Sequence, residues 1–215
     1  SLNELNVEKI VKEKKNFPKK ILFLIVESWG VPKNLEEYYK QISKINSNNN
    51  FRKLHEGFVR YGGGTVTAEL RELCALYPSF LSFSEVPVDQ AVGCLPSRLK
   101  NLGYSTFALH GASAQMYNRA AWYPTVGFEQ SFFLDSPLKK VSKCYSFPGF
   151  CDVDLLDAIG DVVEKNEKLF FYWMTLNSHI PYDSRDLKSN DKSLCKYVGI
   201  DSTDRCIQFQ LIKEL

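Results

Sequence analysis

Three short apolar runs, each followed by a polar side chain, stand out from the mixed pattern of hydrophobic and polar positions along the chain. They cover residues 20–27, 104–109 and 169–176. Continuous apolar runs of this length are typical of strands that are buried on both faces of a sheet. A fourth segment, at 128–133, predicts a short strand or a loop.

Segments with helical periodicity separate these strands. An apolar stripe with three- and four-residue spacing predicts an amphipathic helix, and Asp152 is a candidate N-cap for one of them. The predicted helices cover residues 7–15, 34–44, 65–76, 95–102, 117–123, 152–164 and 203–215. Strands that alternate with helices predict an α/β layered fold with a mostly parallel central sheet. We expect residues 1–19 to form a linker or an N-terminal helix.

The composition is that of an ordinary folded domain. The 215 residues are 44% hydrophobic and 24% charged, and the formal net charge is +2. Such a small charge argues against a nucleic-acid partner and against a polybasic membrane-binding patch. The longest apolar run, at residues 21–26, is far shorter than the ~20 residues that cross a bilayer. We therefore expect a membrane anchor, if the protein has one, to lie outside this sequence.

Six cysteines fall into three pairs that are close in sequence. The pairs are Cys74 and Cys94, Cys144 and Cys151, and Cys195 and Cys206. None has the two-residue spacing of a zinc ribbon or a redox site. We favour three local disulfides and hence an oxidising compartment. Six reduced, buried thiols in a cytosolic enzyme are the alternative, and the sequence alone allows many other pairings.

The polar side chains that follow the three strands are of types that bind metals or take part in catalysis. Glu27, His110 and His179 each lie at or just past the carboxyl end of a predicted strand. Ligands in α/β folds bind beyond these ends, so the three side chains are candidates for one site. A carboxylate near a core needs a metal ion or a basic partner. The alternatives are a surface carboxylate and two histidines with structural roles.

A glycine-rich turn precedes the helix predicted at 65–76. Gly62, Gly63 and Gly64 allow the backbone to approach a ligand closely. Thr65 follows at the helix N-terminus, where free N–H groups and the helix dipole favour anions. That potential eases ionisation of the threonine hydroxyl, and a bound metal would ease it further. Glu69, one turn later, can brace the loop. An ordinary N-cap threonine is the alternative.

Two further groups of residues could bind an anion. His110 is followed by Tyr117 and Arg119, and the forked donors of an arginine suit phosphate or sulfate. The alternative is a surface arginine beside a structural histidine. The segment 175–182 reads Thr-Leu-Asn-Ser-His-Ile-Pro-Tyr and contains His179. The remaining histidine, His55, lies in a polar stretch and is given no role.

Together these segments resemble the membrane-anchored phosphoethanolamine transferases and the lipoteichoic acid (glycerol phosphate) synthases, in the sulfatase branch of the alkaline phosphatase superfamily. Four motifs occur in the family order: Val-Glu-Ser at 26–28, Thr-x-x-x-Glu at 65–69, His-x6-Tyr-x-Arg at 110–119 and Leu-Asn-Ser-His-x-Pro-Tyr at 176–182. The resemblance implies an alkaline phosphatase-like layered αβα sandwich. It also implies that residues 20–215 form an incomplete catalytic domain whose C-terminal part is missing.

The resemblance implies a role for each matching residue. Glu27 is similar to the metal-binding acid, and Thr65 is similar to the nucleophile, which also ligates the metal and carries the phosphoryl group. The residues similar to those that bind the phosphate or the incoming substrate are His110, Tyr117, Arg119 and His179. Thr67 is a poorer match for the nucleophile, because its spacing to Glu69 differs from that of the family.

The implied reaction is the metal-dependent transfer of phosphoethanolamine or glycerol phosphate from a phospholipid-type donor, through a phospho-threonine, to a cell-envelope glycan or lipid. The implied cofactor is a divalent metal, zinc or manganese, since both suit carboxylate, hydroxyl and imidazole ligands. The implied location is periplasmic or extracytoplasmic, with the full-length protein anchored in the inner membrane.

One departure from the family pattern concerns the metal site, which family members complete with Gly-Asp-His. No Asp-His dipeptide follows His179. We therefore expect a truncated chain that is inactive or nearly so, because a zinc site needs about three protein ligands. Two alternatives stay open: a phosphodiester or sulfate ester hydrolase of the same superfamily, and a non-catalytic domain that retains the fold. Sulfate ester hydrolysis is disfavoured, because the segment around Thr65 lacks the sulfatase motif Cys/Ser-x-Pro-x-Arg.

Overall fold

The computed structural model describes residues 17–32, 34–52, 62–77, 86–138 and 141–215. The elements in these ranges are β1 (Lys20–Ile25), α1 (Leu35–Gln41), α2 (Ser43–Ser47), α3 (Thr65–Cys74), α4 (Val88–Ala91), α5 (Leu95–Asn101), β2 (Ser105–His110), a 3₁₀ turn (Met116–Asn118), α6 (Arg119–Thr125), β3 (Gln130–Phe132), β4 (Lys143–Cys144), β5 (Gly149–Phe150), α7 (Asp152–Lys165), β6 (Leu169–Met174), a second 3₁₀ turn (Ser184–Asp186), α8 (Lys192–Tyr197) and α9 (Thr203–Glu214). Among these helices, none has the length and apolar character needed to span a membrane. The helix predicted at 7–15 and the residue His55 lie outside the described ranges.

The main sheet is parallel, and its strand order in the described residues is β1-β6-β2-β3. β6 is buried along its whole length, because it pairs with β1 on one side and with β2 on the other. Ile25 of β1 and His110 of β2 both lie opposite Met174 of β6, so the carboxyl ends of these three strands are level. The predicted α/β class with a mostly parallel sheet is confirmed.

Helices cover both faces of this sheet. Side chains alternate between the two faces of a strand, and β6 shows the consequence. Phe170, Tyr172 and Met174 pack against apolar side chains of α3, α5 and α6, whereas Phe171 and Trp173 pack against α7. The sheet is therefore the middle of three layers, and its carboxyl edge is the surface that the helices leave accessible to a ligand.

The three predicted disulfides are present. They join Cys74 to Cys94, Cys144 to Cys151 and Cys195 to Cys206. Cys144 and Cys151 also lie close to the carboxylate of Asp186 in a group with metal-ligand geometry. The two sulfurs are bonded to each other, so they are not free to ligate a metal. The disulfides fit an extracytoplasmic location.

Some predicted ends of strands and helices are wrong, and the backbone explains the differences. The strand predicted at 20–27 ends at Ile25, so Glu27 lies in the turn that follows. This strand is also not buried on both faces as predicted: β1 is the edge strand of the sheet in the described residues, and Leu22 and Leu24 are exposed. The helix predicted at 34–44 is divided at Ile42, which has non-helical torsion angles. The helix predicted at 65–76 ends at Cys74, because Ala75 is left-handed and its N–H bonds back to the preceding turn.

Two more corrections concern segments near the site. The helix predicted at 117–123 begins at Arg119, because Tyr117 and Asn118 both adopt the left-handed conformation. Asp152 is not an N-cap: Cys151 occupies that position, and the Asp152 side chain bonds elsewhere. The short helices α4 and α8 and the antiparallel pair β4–β5 are absent from the prediction.

Candidate functional site

The six candidate residues line one cavity at the carboxyl ends of β1, β2 and β6. Its volume is about 130 Å³. The predicted residues in its wall are Glu27, Thr65, His110, Tyr117, Arg119 and His179, and the other lining residues are Met116, Phe147 and Leu176. The structure therefore brings all six together, while their chemical roles stay predictions.

Thr65 lies at the start of α3 and faces Glu27. Its hydroxyl donates a hydrogen bond to Glu27 Oε1 at 2.8 Å. The glycine turn makes this placement possible, since Gly63 has a φ of 97° and Gly64 is the helix N-cap. A Cβ atom on Gly63 would also lie only 3.0 Å from Thr67 Cγ2. At this position the dipole of α3 favours negative charge on Thr65 Oγ1.

The backbone of Glu27 is held by the segment that follows β6. Its N–H donates to Thr175 Oγ1 at 3.0 Å, and its carbonyl accepts a hydrogen bond from Ser178 Oγ at 2.6 Å. Thr175 and Ser178 are buried. These two bonds fix Glu27 relative to His179, although the two residues are far apart in sequence.

His110 ends β2 and is almost completely buried. Its Nδ1 atom lies 3.0 Å from the carbonyl oxygen of Met174. A carbonyl only accepts hydrogen bonds, so Nδ1 carries the proton and Nε2 is left as an acceptor. Burial is the main cause that lowers the pKa of His110 to about 3, and the nearby charge of Arg119 lowers it further. The imidazole is therefore neutral at physiological pH.

Arg119 is fully buried and forms an ion pair with Glu69, which is also fully buried. Arg119 Nη2 donates to Glu69 Oε2 at 2.8 Å, and Nε donates to the same oxygen at 3.1 Å. The hydroxyls of Tyr123 and Tyr172 donate to the other oxygen of Glu69. Burial is the main cause that raises the pKa of both tyrosines. These hydrogen bonds of Glu69 join α3 to α6 and β6, and its predicted role in bracing the glycine loop stays a prediction.

Tyr117 is the most exposed of the six residues and stands at the edge of the cavity. Its ring centroid is 5.1 Å from Arg119 Cζ, which is within the range of a cation–π interaction. Its carbonyl accepts a hydrogen bond from Trp122 Nε1 at 3.1 Å, which fixes the left-handed turn. The ring is therefore held over the guanidinium and still contacts solvent.

The segment that carries His179 is clamped to the start of α7. The buried carboxylate of Asp152 accepts hydrogen bonds from the N–H groups of Leu176 at 2.9 Å and of Asn177 at 2.7 Å. In return, Asn177 Oδ1 accepts from the N–H of Asp152 at 2.7 Å. The sequence did not reveal this clamp, because an acidic residue in a first helical turn is typical of ordinary helices.

Asp152 gives the fold a dependence on pH. Burial outweighs the two N–H donors and raises the pKa of Asp152 to about 7, against about 3.9 in an unfolded chain. The stability that this group contributes is thus fully present below pH ~4 and is lost as the pH rises through ~7. We expect the free energy of unfolding to fall across this window by up to about 1.4 kcal/mol per pH unit.

Urea unfolding at a series of pH values, for the parent chain and for Asp152→Asn, measures this effect. The asparagine keeps an oxygen acceptor for the two N–H groups and cannot ionise, so it is the matched control. The difference in stability between the two proteins should change steadily from pH 4 to 7. A difference that stays constant would rule out titration of Asp152 in this range.

The donor atoms of Glu27 and Thr65 fit part of a divalent-metal site. A carboxylate oxygen and a hydroxyl oxygen that are 2.8 Å apart can both contact one ion, and zinc and manganese accept oxygen ligands. A stable zinc site has about four ligands. These two residues therefore account for part of the coordination shell only.

Three comparisons with known proteins concern the family and the fold of this chain. A family model described as Sulfatase matches residues 19–208. Over 147 residues, the chain is 26% identical to a protein of Rhizobium meliloti (strain 1021) whose name assigns it to cyclic beta-1,2-glucan modification. That match covers 65% of this chain and 22% of the relative, so the chain spans about a fifth of the relative's length.

Two solved structures are similar to this chain to different extents. The Streptococcus pyogenes phosphoglycerol transferase GacH, in complex with sn-glycerol-1-phosphate, is 19% identical with a TM-score of 0.61, and the match covers 99% of this chain and 59% of GacH. The lipoteichoic acid synthase LtaP from Listeria monocytogenes is 20% identical with a TM-score of 0.49, over 69% of this chain and 36% of LtaP. The similarity to GacH supports the fold, and the family model extends from the first strand into the last helix. The chain belongs to the sulfatase family.

Proposed function

We propose that the whole protein transfers glycerol phosphate or phosphoethanolamine from a phospholipid-type donor to a cell-envelope glycan or lipid. The observation that carries this proposal is the 2.8 Å hydrogen bond from Thr65 Oγ1 to Glu27 Oε1 at the start of α3. The candidate nucleophile and a carboxylate are thus neighbours in a cavity that also contains two imidazoles and a guanidinium. Membership of the sulfatase family and the fold similarity to a phosphoglycerol transferase support the same class of reaction.

In the first step, Thr65 Oγ1 attacks the phosphorus of the donor phosphodiester. Thr65 gives up the proton that it shares with Glu27 Oε1. The bond between phosphorus and the lipid oxygen breaks, and the lipid leaves as an alcohol after its oxygen takes up a proton. The head group and its phosphate remain as an ester on Thr65.

In the second step, a hydroxyl of the acceptor attacks the phosphorus of the phospho-threonine. The bond from phosphorus to Thr65 Oγ1 breaks, and the proton of the acceptor hydroxyl replaces the one that Thr65 lost. Neutral His110 can orient a hydroxyl by accepting its hydrogen bond at Nε2, but its low pKa prevents it from acting as a cation. Water in place of the acceptor would give the hydrolase that the sequence left as an alternative.

Sulfatase-family enzymes generally use divalent metals, and Glu27 and Thr65 are the residues that would hold one here. When bound, zinc or manganese lowers the pKa of the hydroxyl it contacts and offsets the negative charge of the phosphate. Arg119 and the start of α3 contribute positive potential of their own. Three of the five N–H donors of Arg119 bond to Glu69 and to the Met116 carbonyl, which leaves two for a phosphate oxygen.

The location and the partners are part of this proposal. We infer an extracytoplasmic enzyme, in the periplasm or its equivalent, anchored to the inner membrane in the full-length protein. The three disulfides support an oxidising location. A phospholipid donor and a glycan acceptor would both be reached there, and the name of the Rhizobium meliloti relative supports a glycan.

Intact-mass analysis of the full-length protein tests this function. The protein is mixed with zinc or manganese and with vesicles of phosphatidylglycerol or phosphatidylethanolamine, and the reaction is stopped with acid. We expect one added mass on the parent protein, of glycerol phosphate or of phosphoethanolamine, and none on the Thr65→Ala variant. The size of the adduct identifies the donor. An adduct that persists in the variant, or a metal-loaded parent protein that never acquires one, would contradict the proposal.

A further inference from the structure

The loop between β4 and β5 forms one wall of the cavity, although no sequence motif points to it. It runs from Cys144 to Cys151, and these two residues close it with a disulfide. Phe147, near its middle, lines the cavity. We refer to residues 144–151 as the disulfide loop.

One side of the disulfide loop contacts the end of β2. The N–H of Phe150 donates to the carbonyl of Gly111 at 3.0 Å, directly after His110. Gly149 approaches the same carbonyl so closely that a Cβ atom there would lie 2.6 Å from it. Because backbone atoms cannot move away as a side chain can, this contact fixes the loop relative to β2.

The other side contacts the segment that carries His179. The Ser146 carbonyl accepts a hydrogen bond from Asn177 Nδ2 at 3.1 Å, and Ser146 Oγ accepts one from the N–H of Asp183 at 2.8 Å. The N–H of Phe147 donates to the carbonyl of Pro181 at 3.0 Å. The loop is thus bonded to the chain on both sides of His179.

Phe147 directs its ring at the imidazole of His179. The two ring centroids are 4.8 Å apart and the ring planes meet at 76°, which is an edge-to-face contact of favourable geometry. Phe147 also has a φ of 29°, an unfavourable value for a bulky residue that persists only where the surroundings impose it. Backbone strain of this kind is concentrated at functional sites.

A second contact fixes the same imidazole. His179 Nδ1 lies 2.7 Å from the carbonyl of Ile180, so Nδ1 carries the proton and Nε2 is free to act as an acceptor. Phe147 restrains the ring plane without competing for Nε2, since it has no hydrogen-bonding group. The two contacts together leave His179 one orientation and one reactive nitrogen.

We infer that the disulfide loop is a positioning element of the site and that Phe147 sets the orientation of His179. This inference rests on the proposed function, in which His179 binds the phosphate or the incoming acceptor. Phe147 acts through His179 and is a positioning residue. The disulfide between Cys144 and Cys151 holds the loop in the conformation that places Phe147 against His179.

Nuclear magnetic resonance of the histidine rings tests the inference without any need for turnover. Long-range ¹H–¹⁵N spectra report the tautomer and the environment of each ring, and the His179→Gln variant assigns the signals. For Phe147→Leu, we expect the chemical shifts of the His179 ring protons to change, because the ring current of Phe147 is lost, and the Nδ1-protonated form to lose population, with the His110 signals unchanged. Phe147→Tyr keeps the aromatic ring and should restore the parent spectrum.

The matched control is Tyr145→Leu, in the same loop. Tyr145 is exposed, and its ring faces Arg185 at 3.6 Å rather than the cavity, so its loss should leave His179 unchanged. The Cys144→Ser, Cys151→Ser double variant should shift His179 in the same direction as Phe147→Leu. In the full-length protein, Phe147→Leu should slow formation of phospho-threonine by roughly tenfold, and Tyr145→Leu should not.

The inference would be overturned by His179 signals that stay at their parent positions in Phe147→Leu, or by an equal shift in Tyr145→Leu. A fold disturbed more widely would move His110 as well, which would assign Phe147 a general packing role and also overturn it. The proposed function fails in a different experiment: the parent protein then forms no phospho-threonine, whatever the histidine spectra show.

Discussion

Replacement of Arg119 by alanine is expected to lower the free energy of unfolding by about 3–5 kcal/mol, because it leaves the buried carboxylate of Glu69 without its cation. Both side chains have no exposed surface, so solvent screens the pair little and the carboxylate depends on the guanidinium for its countercharge. The hydroxyls of Tyr123 and Tyr172 would remain as partners, but neither carries a positive charge. Urea unfolding followed by circular dichroism measures the change.

An exposed ion pair supplies the control for this prediction. Lys165 and Asp161 are joined at 3.0 Å on the surface of α7, and Lys165→Ala should change stability by no more than about 0.5 kcal/mol. A similar small change for Arg119→Ala would mean that the buried pair is not formed.

Replacement of Thr65 by alanine is expected to abolish the phospho-threonine and to slow head-group transfer in the full-length protein by roughly 10³-fold or more. The reason is that the variant lacks the oxygen that attacks phosphorus, whereas its fold loses only one hydrogen bond to Glu27. Release of the lipid alcohol from a labelled phospholipid measures the rate. The melting temperature of the variant shows whether the fold is retained.

Thr67→Ala is the matched control, because Thr67 is a threonine in the same turn of α3 and is not part of the cavity wall. It should retain transfer within a few-fold of the parent rate. If Thr67→Ala is inactive and Thr65→Ala is active, the nucleophile has been assigned to the wrong threonine.

The sequence predicts the positions of the three long strands well, because their signal is local. The apolar run of β6 is buried along its whole length. The end of each apolar run in the sequence also predicts which polar residue follows the strand. Convergence of Glu27, His110 and His179 could therefore be predicted from the rule that parallel strands end at one edge. The disulfides are also predictable from spacing, since each loop that they close is short.

The contacts that fix the site could not be predicted, because they join distant segments through groups with no local signal. Asp152 has the sequence signature of a helix start, yet it binds a segment that lies 24 residues later. Arg119 matches a phosphate ligand in sequence, but most of its donors bond to protein atoms, chiefly Glu69, 50 residues away. Phe147 has no signature in the sequence, because its position depends on a turn that two distant segments hold in place, the end of β2 and the segment that carries His179.

The pattern of cross-links has a consequence for how the chain matures. Each cysteine is bonded to its nearest neighbour in sequence, with separations of 20, 7 and 11 residues. A polypeptide that enters an oxidising space from its N-terminus would expose both partners of one bond before either partner of the next. Oxidation in order of arrival then yields the native set directly, and no isomerase has to exchange one pairing for another.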